Sequence, residues 1–271
     1  MKYAICNETF GDMALHVALK LAFDSGYRGW EVAPFMLTDD ITDYTSDERH
    51  AYRDAVESAG LEVIGLHWLL AKTQGFHLTT LDTEVRTRTT EYLKRLVELC
   101  RDLGGTVMVL GSPQQRNYPE ATQTNEQAMD AAADCLRPIS ETLEACGVKL
   151  ALEPLGRSEG NFLNTAAQGR ELMNMIGSEH IGLHLDVKAM SDEAAPIETT
   201  IRENADVMLH FHANDPNLLG PGMGEVKFEP IFEALRDVDY RGWVSVEVFD
   251  YSPGVEELAR GSMKNMLSAQ T

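Results

Sequence analysis

The sequence predicts a single (β/α)8 barrel that covers residues 1–271. Its 271 residues are close to the roughly 250 that are typical of this fold. Short apolar segments alternate eight times with longer amphipathic segments, and no Pro- or Ser-rich linker divides the chain. A doubly wound open sheet is the alternative, but such a sheet normally has a Gly-rich turn after its first strand. Neither G-x-G-x-x-G nor G-x-x-x-x-G-K-[ST] occurs in the sequence, which favours the barrel.

The predicted strands are short runs of apolar and β-branched residues, which is typical of parallel strands covered by helices on the outside. They lie at residues 3–6, 29–32, 61–66, 106–110, 148–152, 181–185, 207–211 and 243–248. Each is followed by a segment of helical periodicity. These helices are predicted at residues 12–24, 46–59, 82–103, 125–146, 165–176, 196–204, 230–236 and 255–267. We expect Ser46 to cap the second helix, Gly60 to end it, and Pro138 to make the fourth helix irregular.

The composition is that of a globular protein, with 44% hydrophobic and 24% charged residues. Its net charge of −20 would repel a phosphate backbone and an anionic membrane surface, so we expect neither as a partner. No apolar stretch approaches 18 residues, and residues 1–13 lack the apolar core of a signal peptide. The four cysteines form no C-x-x-C motif. We therefore expect a cytoplasmic protein with free thiols.

Chemically active side chains are predicted at the ends of the last four strands. Glu153, Asp186, His212 and Glu247 are separated by about one βα unit each, so their side chains should meet at the C-terminal mouth of the barrel. Buried carboxylates at such a mouth need a compensating charge. Helix capping or pairing with Arg is the alternative, but it explains four residues in register less well than a divalent cation does. A mainly oxygen ligand set favours Mn²⁺, Mg²⁺ or Co²⁺ over a structural zinc. We expect one divalent ion, Mn²⁺ first, with Mg²⁺, Co²⁺ or Zn²⁺ as further candidates.

Several segments of the sequence resemble the xylose-isomerase-like TIM-barrel superfamily. Within it they are most similar to the D-tagatose 3-epimerase branch of sugar (phosphate) isomerases and epimerases. The resemblance is weak over the whole chain and good over residues 148–250. It rests on LALEP at 150–154, LHLD at 183–186, HFHAND at 210–215, GPGMGE at 220–225, FEPI at 228–231, DYRGW at 239–243 and WVSVE at 243–247.

This resemblance implies that Glu153, Asp186, His212 and Glu247 are the metal ligands, and that Glu153 and Glu247 are also the acid/base pair. It implies a divalent-metal-dependent sugar epimerase or isomerase. Such an enzyme removes a proton next to a carbonyl and passes through a metal-stabilised enediolate. The partner is then a small-molecule sugar. The sequence also allows a homo-oligomer.

Two positions depart from the pattern of this branch. Ala189 stands where many members have a His, and Leu218 stands where they have an Arg. Both family residues contact substrate oxygens, so the departures favour a lyase acting on 3-keto sugars or 3-keto glycosides as an alternative. A non-catalytic sugar-binding barrel is a further alternative. An endonuclease IV-like repair enzyme would need several zinc ions and a basic groove, which the acidic composition disfavours.

The remaining strand ends supply candidates for substrate binding, namely Glu159, Arg116, His67, Lys188 and Trp68, with Glu8 and Glu31 as further polar groups. Arg116 has five donors for an oxygen-rich ligand. Lys188 either replaces the absent family cation or is a solvated loop residue, and Trp68 either packs on a sugar face or anchors a loop. His184 and His210 precede the metal ligands by two residues and are either partners of those ligands or core residues.

Overall fold

A computed structural model describes residues 1–270 of the chain, and over these residues it confirms the predicted (β/α)8 barrel. Eight parallel strands close into one barrel in chain order within this range. The strands are β1 (Lys2–Cys6), β2 (Gly29–Val32), β3 (Glu62–Leu66), β4 (Val107–Leu110), β5 (Lys149–Leu152), β6 (Ile181–Asp186), β7 (Met208–Ala213) and β8 (Trp243–Val246). That residues 1–271 form a single domain stays a prediction, and its last residue lies outside the described range.

Helices surround the barrel between successive strands. They are α1 (Leu15–Ser25), α2 (Ser46–Ser58), α3 (Thr83–Asp102), α4 (Asn125–Leu136), α5 (Ser140–Cys146), α6 (Ala166–Ile176), α7 (Val187–Met190), α8 (Ile197–Glu203), α9 (Phe228–Asp237) and α10 (Val255–Ser268). Each predicted helix lies within a few residues of an observed one. No helix among the described residues is long and apolar enough to cross a membrane.

The helix predicted at 125–146 is interrupted, as the position of Pro138 suggested. Proline lacks the amide hydrogen that a helix interior needs, and a 3₁₀ turn at Arg137–Ile139 separates α4 from α5.

The expected cap of α2 was wrong by one residue. Thr45, not Ser46, accepts a hydrogen bond from the Glu48 amide, while the Glu48 carboxylate accepts one from the Thr45 amide. This reciprocal arrangement satisfies two amides at once, which a cap at Ser46 would not do.

The ends of the later strands differ from the prediction in a way that shapes the barrel mouth. β6 continues to Asp186 and β7 continues to Ala213, so Asp186 and His212 lie within paired strands and oppose each other directly. β5 ends at Leu152 and β8 ends at Val246, so Glu153 and Glu247 are the first residues beyond their strands. The sequence did not predict the single helical turn α7, which begins immediately after Asp186.

Two kinds of core result from this arrangement. The space between barrel and helices is filled by apolar side chains such as Trp30, Leu93 and Phe232. The interior of the barrel toward the mouth is polar instead. Glu31, His67, His184, His210, His212 and Ser245 are each at most 1% exposed there. Buried polar groups are tolerated when they hydrogen-bond to one another, and most of these do.

Candidate active site

The four predicted site residues meet at the C-terminal mouth of the barrel. Glu153, Asp186, His212 and Glu247 are all buried, with at most 7% of any of them exposed. Ligand atoms of Glu153, Asp186, His212 and also His184 lie within 4.8 Å of one another. Glu247 joins this group because its Oε2 lies 3.1 Å from Nδ1 of His212. The structure thus brings the four predicted residues together and adds the imidazole of His184 to them.

The charges in this cluster shift one another's protonation. Burial and the neighbouring Glu247 and Asp186 carboxylates raise the pKa of Glu153 well above its ordinary value. Burial also raises the pKa of Asp186. Burial acts in the same direction on Glu247, but the adjacent His212 outweighs it and lowers the pKa of Glu247. The protein's own groups therefore leave Glu153 with too little positive charge nearby.

The cluster has the donors that a divalent cation requires. Three carboxylates and one imidazole form a mainly oxygen ligand set, which suits Mn²⁺, Mg²⁺ or Co²⁺. Beside them, both ring nitrogens of His184 are buried without a hydrogen-bond partner, and its Nε2 is 3.9 Å from Oε1 of Glu153. Unpaired buried polar atoms are rare and costly, and they are expected where an ion or water binds. The residues present therefore fit a cation held by Glu153, Asp186, His212 and Glu247.

Asp186 is oriented by two donors, one close to it in the chain and the other brought to it by the neighbouring strand β7. Its Oδ1 accepts the Ala189 amide of α7 at 2.8 Å, and its Oδ2 accepts Nδ2 of Asn214 at 2.6 Å. Asn214 also accepts the Lys188 amide at 2.9 Å through its own Oδ1. Sequence reasoning did not select Asn214. Its position two residues after His212 was a usable signal, because alternate residues of a strand share a face.

Both oxygens of Glu247 lie close to a ring nitrogen. Oε1 accepts the indole Nε1–H of Trp68 at 2.6 Å, while Oε2 faces His212. Trp68 has a left-handed backbone with φ of 53°, which is unusual for a residue with a bulky side chain. The indole therefore reaches the carboxylate from a constrained loop conformation. The hydrogen bond to Glu247 is neither of the two roles named for Trp68, and the packing of its ring on a sugar stays a prediction.

A narrow cavity lies over the cluster, and four of the five predicted substrate-binding residues line it. These four are Glu159, His67, Lys188 and Trp68, and they share the cavity wall with Glu153, Glu247 and Phe249. Lys188 Nζ is 2.6 Å from Oε2 of Glu159 and lies 4.6 Å from the centre of the Phe249 ring. Lys188 is thus a wall residue and not a solvated loop lysine. Sequence reasoning missed Phe249.

Two polar residues occupy other places than expected. Arg116 does not reach the cavity. Its guanidinium is buried and donates to backbone carbonyls, at 2.7 Å to Glu153 and 3.4 Å to Leu163, so it holds the loop after β5. The prediction that Arg116 offers its donors to a ligand was therefore wrong. Glu31, expected at the mouth, is completely buried deeper in the barrel beside His210 and His212. Glu8 pairs with His67 at 2.9 Å.

The sequence matches the family described as "Xylose isomerase-like TIM barrel" over residues 19–269. The chain belongs to this family. Because the match covers most of the chain and the structure is a closed eight-stranded barrel, family and fold agree. The resemblance predicted from the strand-end motifs is thereby confirmed.

Curated relatives in this family are named as sugar epimerases. The chain is 35% identical to the L-ribulose 3-epimerase of Mesorhizobium japonicum over 68% of its length and 61% of the relative's. It is 29% identical to the D-psicose 3-epimerase of Enterocloster bolteae over 92% of its length and 82% of the relative's. A protein of Synechocystis named "Probable ketose 3-epimerase" is 29% identical over 70% of this chain and 65% of its own length. The matches thus span less than two thirds of some of these relatives.

Solved structures share the fold at low sequence identity. A D-psicose 3-epimerase crystallised in the presence of D-fructose superposes with a TM-score of 0.85 and 22% identity, covering 97% of both chains. A 3-keto-D-glucoside 4-epimerase from E. coli gives a TM-score of 0.82 and 20% identity, covering 100% of this chain and 99% of the other. These likenesses show that the described residues share the fold of those proteins.

Proposed function

We propose that this protein is a divalent-metal-dependent sugar epimerase or isomerase that acts next to a carbonyl group. One observation carries the proposal. Glu153 and Glu247, the two candidate bases, lie in the same buried cluster as Asp186 and His212, under a cavity with polar walls. The relatives named as L-ribulose and D-psicose 3-epimerases support a sugar as the substrate. Mn²⁺ is our first choice of metal.

A cation at this site would act as a Lewis acid on the substrate carbonyl and make the neighbouring C–H more acidic. The protein's own residues do the rest. One of Glu153 and Glu247 removes the proton from the carbon next to the carbonyl, which leaves an enediolate. The other returns a proton to that carbon, and a return from the opposite side inverts the centre. The indole N–H of Trp68 holds the Glu247 carboxylate in place for this transfer.

The cavity wall supplies contacts for sugar oxygens. Lys188 and Glu159 form an ion pair that lines the cavity, so together they present both a charged donor and a charged acceptor to hydroxyl groups. Phe249 and Trp68 provide aromatic surface, which packs well on the C–H face of a sugar. We infer that Lys188 donates hydrogen bonds to sugar oxygens, because the apolar side chains of Ala189 and Leu218 cannot donate any.

A lyase acting on 3-keto sugars or glycosides is the second candidate. It would use the same proton abstraction, after which the enolate expels a group from the β carbon. The specific observation in its favour comes from the sequence, in which apolar Ala189 and Leu218 stand at positions at which many epimerases of the branch have polar residues. Glu153, Asp186, His212 and Glu247 would hold the metal in both reactions, but in the lyase only one of Glu153 and Glu247 must take the α proton.

The metal ligands can be tested directly. Asp186→Ala and His212→Ala each remove one of four proposed ligands, so we expect both variants to lose high-affinity binding of Mn²⁺ and Co²⁺. Elemental analysis and isothermal titration on metal-stripped protein measure this. Asp130→Ala, at an exposed position of α4, is the matched control and should bind as the wild type does. Unchanged metal content in both ligand variants would contradict the assignment.

The acid/base pair is tested by conservative replacement. Glu153→Gln and Glu247→Gln keep the shape and one oxygen ligand but remove the proton acceptor. We expect each to retain bound metal and to lose about 10²- to 10⁴-fold in turnover. Steady-state rates with L-ribulose and D-psicose measure the loss, and Glu144→Gln on the exposed face of α5 is the control. Near-normal turnover in both variants with metal bound would remove the pair from the mechanism.

Lys188 is expected to act on substrate binding. Lys188→Met removes the charged donor and leaves Glu159 unpaired, so we expect kcat/KM to fall by about 10- to 100-fold, in line with roughly 1.5–3 kcal/mol for a hydrogen bond to a charged group. The effect should fall mainly on KM, with metal content unchanged. Lys149→Met, at the exposed start of β5, is the control. Unaltered kinetics in Lys188→Met would show that the ion pair is only part of the wall.

A further inference from the structure

A buried carboxylate lies directly behind the proposed metal ligand His212. Glu31, in β2, is completely buried, and its Oε2 is 2.9 Å from Nε2 of His210. Both of its oxygens lie 3.2 Å from Nε2 of His212. Cys6 adds a weak contact from its Sγ to Oε2 at 3.8 Å. Among the described residues no Lys or Arg pairs with Glu31, so the two imidazoles are its strong partners.

An ionised carboxylate in a barrel interior is expensive unless it is paired and hydrogen-bonded. Oε2 of Glu31 lies 2.9 Å from Nε2 of His210, and both of its oxygens lie 3.2 Å from Nε2 of His212. An ionised carboxylate has only acceptors, so the imidazole nitrogens that face it are the donors. An apolar residue of similar size would fill the same space at lower cost, so the presence of a carboxylate here needs an explanation.

The explanation lies in the two sides of the His212 ring. Nε2 faces Glu31, and Nδ1 faces Glu247, one of the proposed metal ligands. A neutral imidazole has one N–H and one free lone pair, and a ligand must present the lone pair to the metal. A carboxylate behind the ring stabilises the proton on the nitrogen nearest to it.

We propose that Glu31 is a positioning residue that fixes the Nε2–H tautomer of His212 and so leaves Nδ1 free to bind the metal. This inference rests on the proposed metal site. It assigns Glu31 no contact with the substrate, which agrees with its complete burial. The second histidine, His210, shares the carboxylate and limits its rotation.

Two substitutions at position 31 test the role. Glu31→Leu fills the space and removes the acceptor, whereas Glu31→Gln keeps one acceptor oxygen for Nε2–H. Isothermal titration of metal-stripped protein with MnCl₂ should show a dissociation constant about 10- to 100-fold higher for the Leu variant, the usual size of such effects. The Gln variant should lie between it and the wild type. Tyr27→Phe, which removes a buried hydrogen bond to the Ala259 carbonyl elsewhere, should bind as the wild type does.

A spectroscopic measurement on the unmutated protein checks the tautomer itself. With ¹⁵N-labelled histidine and bound Mg²⁺, two-bond ¹H–¹⁵N spectra should show His212 protonated at Nε2 and unprotonated at Nδ1. This measurement uses only the unmutated protein, so it does not depend on whether the variants fold. His212 protonated at Nδ1 would overturn the inference, as would an unchanged Mn²⁺ affinity in both folded variants. If the wild type binds no Mn²⁺, Co²⁺ or Mg²⁺, the proposed function fails as well, so the two failures are distinguishable.

Discussion

Crowding of ionisable groups inside the barrel is the constraint on which the rest of the site depends. Glu153, Asp186 and Glu247 are nearly removed from water and lie close together, and Glu31 adds a fourth carboxylate below them. His212 is 3.1 Å from Glu247 on one side and 3.2 Å from Glu31 on the other, so it links the carboxylates at the mouth to the one deeper in the barrel. A divalent cation among the carboxylates at the mouth would supply the positive charge that Glu153 lacks.

The surrounding elements serve to hold this cluster in one arrangement. The α7 turn gives its Ala189 amide to Asp186, and Asn214 binds the other Asp186 oxygen while it accepts the Lys188 amide. Arg116 fixes the carbonyl of Glu153 from behind. The Ala189 amide and the Asn214 side chain are neutral, and Arg116 binds a backbone carbonyl. The ligand carboxylates therefore remain available to the metal. Proposed ligands are thus oriented without being neutralised.

The sequence predicted the fold and the four clustered residues because both depend on a simple period. One βα unit separates Glu153, Asp186, His212 and Glu247, and a closed parallel barrel brings all strand ends to one mouth. What the sequence could not show was the direction of long side chains. Arg116 turns inward to backbone carbonyls, Glu31 lies too deep in the barrel for a sugar, and Lys188 reaches Glu159 from the α7 turn. These outcomes depend on how each side chain packs against its neighbours, which no periodicity encodes.

The central claim is that Glu153 and Glu247 exchange a carbon-bound proton next to a substrate carbonyl in a metal-dependent manner. NMR spectroscopy of the Mn²⁺-loaded and metal-stripped protein in D₂O, with ketoses and 3-keto glycosides as substrates, measures this directly once the metal has been removed from the quenched samples. We expect both reactions to require the metal: an epimerase introduces deuterium at the carbon next to the carbonyl without elimination, whereas a lyase removes the hydrogen from that carbon and releases the aglycone. A substrate that is epimerised without deuterium uptake, or converted at equal rates without metal, would contradict it.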